Sequence, residues 1–227
     1  MKKWTNALNK SLLLYKYCSK DWHVLIDSHI ERDLFKKGQY VFKQGDKVNG
    51  IHFIVKGNVK VSVLKSEHPE RILRLAGPDK ILGHRGIANS HYSITATALT
   101  DCEILFLPND IFITLLRTNP DLSMFLINFL AVEMRDSEDR MINLIQLDVK
   151  ERIACILITL SESFGFDEKE PTKLSYTLSR KDFASFAGTT YETVIRTLIS
   201  LQKSKLIKLA GKEIHILNLP GLKNVKK

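Results

Sequence analysis

Residues 179–208, SRKDFASFAGTTYETVIRTLISLQKSKLIK, admit few folds. Ser179 followed three positions later by Asp182 is a helix-start signal. Phe183, Phe186 and Ala187 give the first helix one apolar face. Gly188 supplies a turn residue free to adopt a left-handed backbone. Thr189 or Thr190 caps a second helix, whose apolar stripe is Val194, Leu198 and Leu201. The segment predicts a helix-turn-helix with a polar face outward.

On the second helix, Glu192 and Arg196 stand four apart and share a face. A glutamate can accept from cytosine N4, and an arginine can fork onto guanine O6 and N7. Tyr191, Thr190, Thr189, Arg180 and Lys181 surround this pair and complete the candidate DNA-binding set. Two plainer readings exist. Thr189 with Glu192 also fits a capping box, and Glu192–Arg196 also fits a solvated ion pair worth roughly a few tenths of a kcal/mol. Charge favours the DNA reading. Between Lys173 and Lys212 there are eight Lys/Arg and two acids, a local net of +6 against +9 for the whole chain. A basic face around a reading helix is an electrostatic footprint for phosphates.

Upstream the pattern changes twice. Residues 5–35 read as short helices around Leu12, Leu13, Leu14, Trp22, Leu25 and Ile26. From 38 to 107, short alternating runs (Tyr40–Phe42, Ile51–Val55, Val59–Val63, Ile72–Leu75, Ser93–Ala98, Glu103–Leu107) lie between glycine, proline and asparagine turns. They predict an antiparallel, jelly-roll-like β-roll. Asp110 is placed to cap a short helix ending at Arg117, and Asn119-Pro120-Asp121 opens a longer one through Leu147. Along it Ile127, Leu130, Met134, Ser137, Met141 and Leu144 recur at alternating spacings of three and four, a heptad seam for a parallel dimer. A further helix over 148–165 leads through the charged linker 167–173 to the helix-turn-helix. Leu206–Leu209 and Ile214–Leu217 around Ala210-Gly211-Lys212 then make a hairpin, the wing. The tail 223–227 reads as frayed. The fold class is thus α+β, with a β-roll over 1–118, a dimerisation helix over 119–147 and a winged helix-turn-helix over 148–227.

No stretch approaches the roughly 20 apolar residues of a membrane span. The start, MKKWTNALNK, has charge but no apolar core of a secretory signal, and Lys2, Lys3, Lys226 and Lys227 read as inert surface charge. Three scattered cysteines, Cys18, Cys102 and Cys155, argue against a disulfide framework or zinc ribbon, so a cytoplasmic protein with inert thiols is expected.

The order of parts resembles the CRP/FNR family of bacterial transcription regulators, along essentially the whole chain. Gly38-x6-Gly45-Asp46 and Gly57-x-Val59-x-Val61 resemble the glycine framework of its cyclic-nucleotide-binding-like roll. Asn119-Pro120-Asp121 resembles the lead-in to its dimer helix. Leu147-Asp148-Val149-x-x-Arg152-Ile153-Ala154 resembles its hinge and first DNA-domain helix, and Glu192-Thr193-Val194-x-Arg196 its recognition helix. The resemblance implies sequence-specific binding of double-stranded DNA by a homodimer on a palindromic site, contact with RNA polymerase, and switching by a small-molecule effector in the roll. It places Glu192 and Arg196 at base-reading positions, with a TGA-like half-site core. Tyr191, where some members carry arginine, and Ile195, where a small residue is common, are departures.

In cyclic-AMP-responsive members a glutamate takes the ribose hydroxyl and an arginine neutralises the cyclic phosphate. His84 and Tyr92 stand at those positions here, in a segment about two residues shorter. Losing the charged partner of a buried phosphate is a severe penalty, so no response to cyclic AMP is expected. The effector-pocket candidates are His84, Arg85, Tyr92, Ser93 and Ser137, with His91 as a further possible anion holder. Asp136 and Ser137 fall where the dimer helix touches the nucleotide base in cyclic-AMP members. Only Cys18 lies near the amino terminus, so an iron–sulfur cluster is not expected. Seven histidines without HxH or HExxH pairing suggest no metal or haem cofactor. No nucleophile–base set, P-loop or GxSxG motif suggests an enzyme. The alternative function is a small-molecule sensor or scaffold whose winged helix docks protein.

Overall fold

The computed structural model of the chain describes residues 13–64 and 69–225. Readings on Lys2, Lys3, Leu12, His68, Lys226 and Lys227 lie outside the described residues. Two compact units emerge: Met1–Val61 with Ala76–Asp136, and Ser62–Leu75 with Ser137–Lys227.

The first unit opens with helices α1 (Leu13–Tyr17) and α2 (His23–His29). Strands β1 (Glu31–Phe35), β2 (Tyr40–Phe42), β3 (Gly50–Lys56), β4 (Val59–Val63), β5 (Arg71–Ala76), β6 (Ile81–Leu82), β7 (Thr95–Ala98) and β8 (Cys102–Pro108) form two four-stranded sheets, in the orders β1-β8-β3-β6 and β2-β7-β4-β5, with the end of β4 and nearly all of β5 grouped in the second unit. All pairings with β8 are antiparallel. Gly57 turns β3 into β4 at φ +92°, and a Cβ there would lie 2.5 Å from the Asp101 carbonyl, so neither the conformation nor the space admits a side chain.

β1 corrects the expectation of helix up to residue 35. Its residues alternate no apolar face, because it is an edge strand whose first four side chains face water. Nothing in its pattern distinguishes it from a surface turn. Pairing with Cys102–Phe106 of β8 makes it a strand.

Helix α3 spans Asn109–Thr118, with Pro108 at the capping position and no side-chain cap; Asp110 sits inside the first turn rather than ahead of it. Helix α4 spans Pro120–Gln146. Leu122 and Leu126 bury against Leu14, Ile26, Phe53, Leu107 and Phe112, with Phe125 and Phe129 packed alongside. One face of its amino-terminal half is therefore committed to the roll's core. Ile127, Leu130, Met134, Met141 and Leu144 lie on α4 with 41–63% of their surface exposed.

In the second unit, α5 (Val149–Phe164) begins with a complete capping box. Asp148 accepts the Glu151 amide at 2.8 Å, and Glu151 accepts the Asp148 amide at 2.7 Å. Helices α6 (Arg180–Ala187) and α7 (Tyr191–Lys203) follow, then the hairpin β9 (Ile207–Ala210) and β10 (Glu213–Ile216). The tail folds into α8 (Leu219–Val225), against the expectation of fraying, because fully buried Leu222 anchors it to α5. Ser185 on α6 donates to the Glu70 carbonyl at 2.6 Å and accepts the Ile72 amide at 2.9 Å, tying the arm 62–75 into this unit. No described helix is long and apolar enough to cross a membrane.

One core residue carries a titratable load. His52 on β3 is 8% exposed and packs between the rings of Phe42 and Phe106 at 5.5 and 5.0 Å. Among the described residues its Nδ1 has no hydrogen-bond partner. Burial pushes its pKa down to about 4 from 6.5. The folded state thus prefers neutral imidazole, while the unfolded chain takes up a proton below about pH 6.5. Stability is full above that value and falls as pH drops toward about 4, by about 3 kcal/mol in all. Replacing His52 with Phe should flatten the melting-temperature profile between pH 6.5 and 4. Parallel profiles for the two proteins would contradict this.

Candidate nucleic-acid interface

The site starts from two helix caps. Ser179 Oγ accepts the Asp182 amide at 3.1 Å and donates to the Asp182 carboxylate at 2.6 Å, starting α6. Gly188 ends α6 in the left-handed region at φ +64°. Thr190, with extended backbone, caps α7 by accepting the Thr193 amide at 3.2 Å. The cap therefore falls on Thr190 and not Thr189, and the Thr189–Glu192 capping box does not form. Val194, Leu198 and Leu201 are buried on the inner side of α7, and α6 packs against it through buried Phe183 and Ala187.

This packing leaves Glu192 and Arg196 exposed on the outer side. Among the described residues they form no ion pair with each other; the Arg196 guanidinium instead donates to Thr193 Oγ1 at 3.4 Å. Tyr191 is exposed beside them. Lys181, Lys203, Lys205, Lys208 and Lys212 are exposed around the helix-turn-helix and wing. Arg180 is half-buried and donates to the Gly211 carbonyl at 3.4 Å, so it ties the start of α6 to the tip of the wing. Lys173 contributes little to the basic footprint, because its ammonium lies 3.7, 3.2 and 3.4 Å from carboxylates of Asp167, Glu170 and Glu213.

Arg152 holds the elements together. Its Nε donates to the Ala187 carbonyl at 2.8 Å and its Nη1 to the Leu147 carbonyl at 2.6 Å. One cation thus satisfies the last turn of α6 and the chain just beyond α4, where helix carbonyls lack internal partners.

The effector-pocket candidates differ in burial and in partners. Tyr92 is buried, stacks on Phe42 at 3.9 Å and donates its hydroxyl to the Gly50 carbonyl at 3.1 Å. His84 is buried with its ring edge-on to Phe129 at 5.0 Å. A Cβ at Gly83 would meet the Gly50 carbonyl at 3.0 Å, Tyr92 Oη at 3.4 Å and His52 Cδ2 at 3.5 Å. Arg85, Ser93 and His91 are exposed. Ser137 falls in the second unit, where its hydroxyl accepts from Arg140 at 3.2 Å. The phenol that stands in the arginine position is neutral and already engaged with backbone. Burial raises its pKa further, so it brings no charge to a phosphate. Among the described residues no three His, Cys, Asp or Glu side chains gather as a metal site.

Three residues were not singled out from sequence. His52 reads as an ordinary strand position, and its role needs the facing strands. Arg152 was noted only within a motif; its position after a capping box hinted at helix-end chemistry. Thr193 is three residues from both Thr190 and Arg196, a spacing that could have flagged it.

Residues 32–119 match the cyclic nucleotide-binding domain, and residues 151–225 match the Crp-like helix-turn-helix domain. The transcriptional activator protein FnrA of Stutzerimonas stutzeri is 30% identical over 187 residues, which cover 82% of this chain and 77% of that protein. The transcriptional activator protein Anr of Pseudomonas protegens is 28% identical over 183 residues, 81% of this chain and 75% of that protein. The structure of FixK2 from Bradyrhizobium japonicum shares the fold with a TM-score of 0.79 at 20% identity, covering 87% of this chain and 98% of the other. With a β-roll, a long helix and a winged helix-turn-helix in that order, this chain belongs to the CRP/FNR family and is a DNA-binding transcription regulator.

Proposed function

We propose that two copies of the chain, in the cytoplasm, bind a palindromic operator and read each half-site with Glu192 and Arg196. Exposure of this pair on α7, with neither residue paired to the other, is the observation that carries the reading. Both groups keep their hydrogen-bonding capacity for base edges. Flanking lysines supply the sequence-independent attraction to phosphates. Contact with RNA polymerase is part of the same proposal, on the strength of the activators this chain resembles.

The apolar row Ile127, Leu130, Met134, Met141 and Leu144, interrupted by Ser137, is our proposed dimer seam. A seam of this spacing suits knobs-into-holes pairing with an identical helix. Two recognition helices related by a two-fold would then meet successive major grooves about 34 Å apart. An effector in the roll would act only through different affinities for two arrangements of the dimer. Tyr92 in the arginine position argues that this effector is not cyclic AMP.

Three measurements test the reading. Arg196→Ala should cost about 1–3 kcal/mol on the preferred operator and relax choice at one base pair; equal losses on specific and random duplex would reduce Arg196 to a phosphate contact. Met134→Lys or Met141→Lys should shift sedimentation toward monomer, and an unchanged dimer would refute the seam. Cyclic AMP should change neither the melting temperature nor operator affinity; a saturable stabilisation by the nucleotide would overturn that part of the proposal.

A further inference from the structure

Two threonine hydroxyls stand in a row with Arg196, and the reading pair does not account for them. Thr190, Thr193 and Arg196 recur every three residues, so they lie along one side of α7. Thr190 Oγ1 accepts the Thr193 amide at 3.2 Å, the two threonine hydroxyl oxygens are 2.9 Å apart, and Arg196 Nη2 lies 3.4 Å from Thr193 Oγ1. A guanidinium has no acceptor, so Thr193 Oγ1 accepts from Arg196. Between the two threonine hydroxyls either oxygen can be the donor.

We propose that Thr193 is a positioning residue for sequence reading, presetting the Arg196 guanidinium before DNA arrives. The inference rests on the proposed reading of bases by Arg196. Three physical points carry it. A free arginine loses rotamer freedom on docking, and a side chain already held loses less. Thr193 engages one of five guanidinium N–H groups, so a bidentate fork onto a base remains available. The holding group is a neutral hydroxyl, so the charge that meets the base edge is not cancelled. A carboxylate in the same place would hold the guanidinium and neutralise it; Glu192, the nearest acid, forms no ion pair with Arg196.

The test compares Thr193→Val, Thr193→Ser and Arg196→Ala in the full-length protein. Operators altered at the base pair that Arg196→Ala relaxes are titrated beside random duplex at several salt concentrations. Thr193→Val keeps the branched side chain and the amide that Thr190 accepts, and removes only the hydroxyl. It should cut discrimination at that base pair by about 3–10-fold, with unchanged affinity and salt slope on random duplex. Thr193→Ser should restore discrimination, and Thr193→Val should add nothing in the Arg196→Ala background. If Thr193→Val melts early, Thr193→Ala read against Thr193→Ser gives the same comparison. Loss spread evenly over all sequences, with a salt slope smaller by about one, would make Thr193 a phosphate contact and overturn the proposal. Unchanged discrimination in Thr193→Val would overturn it equally. A wild-type protein that does not discriminate sequences would instead overturn the reading of bases on which the inference depends.

Discussion

The DNA-binding unit is tied together at one part-buried junction, where the Arg152 guanidinium takes the Leu147 and Ala187 carbonyls. Those carbonyls lie beyond the end of α4 and in the last turn of α6, where helix carbonyls lack internal partners. A lysine has one compact donor group and cannot span both in a fixed fork. Arg152 itself is placed by the capping box that starts α5, so the sequence Asp148-x-x-Glu151-Arg152 sets helix, cap and clamp together. From there α6 is fixed, Gly188 turns, and Thr190 starts the recognition helix.

The roll is organised on different terms. Its interior around Tyr92 is aromatic: Phe42, His52, Tyr92 and Phe106 stack or tilt against one another. The hydrogen bond from the Tyr92 hydroxyl ends on backbone. His52 adds a group whose burial is tolerated only while it stays neutral. In the DNA-binding unit Lys181, Lys203, Lys205, Lys208 and Lys212 are exposed, whereas Lys173 is surrounded by three carboxylates.

Legibility varied with the kind of signal. Helix starts were readable because the capping residue and its partner are three positions apart: Ser179 with Asp182 appeared in the chain as it does in the fold. Thr189 and Thr190 could not be separated by type, since both are threonine; the extended backbone at Thr190 decided it. β1 was missed because an edge strand with an exposed face has no alternation to see. The tail from 223 was expected to fray because it carries no apolar period of its own, whereas buried Leu222 just ahead of it holds the segment helical. The strands with one buried face, β4 and β5, were read close to their final bounds.

By itself the sequence determined the class of parts and their order, the apolar row along α4, and the sharing of one helix face by Glu192 and Arg196, because each is a matter of local period or spacing. Only the tertiary structure decided which polar side chains bond to which. It turned Arg180 onto the wing, gave Arg152 two carbonyls, set Thr193 against Arg196, and separated buried His84 and Tyr92 from exposed Arg85 and Ser93. The reason is that hydrogen bonds require partners within about 3 Å, and partners that close are brought together by packing between segments far apart in the chain.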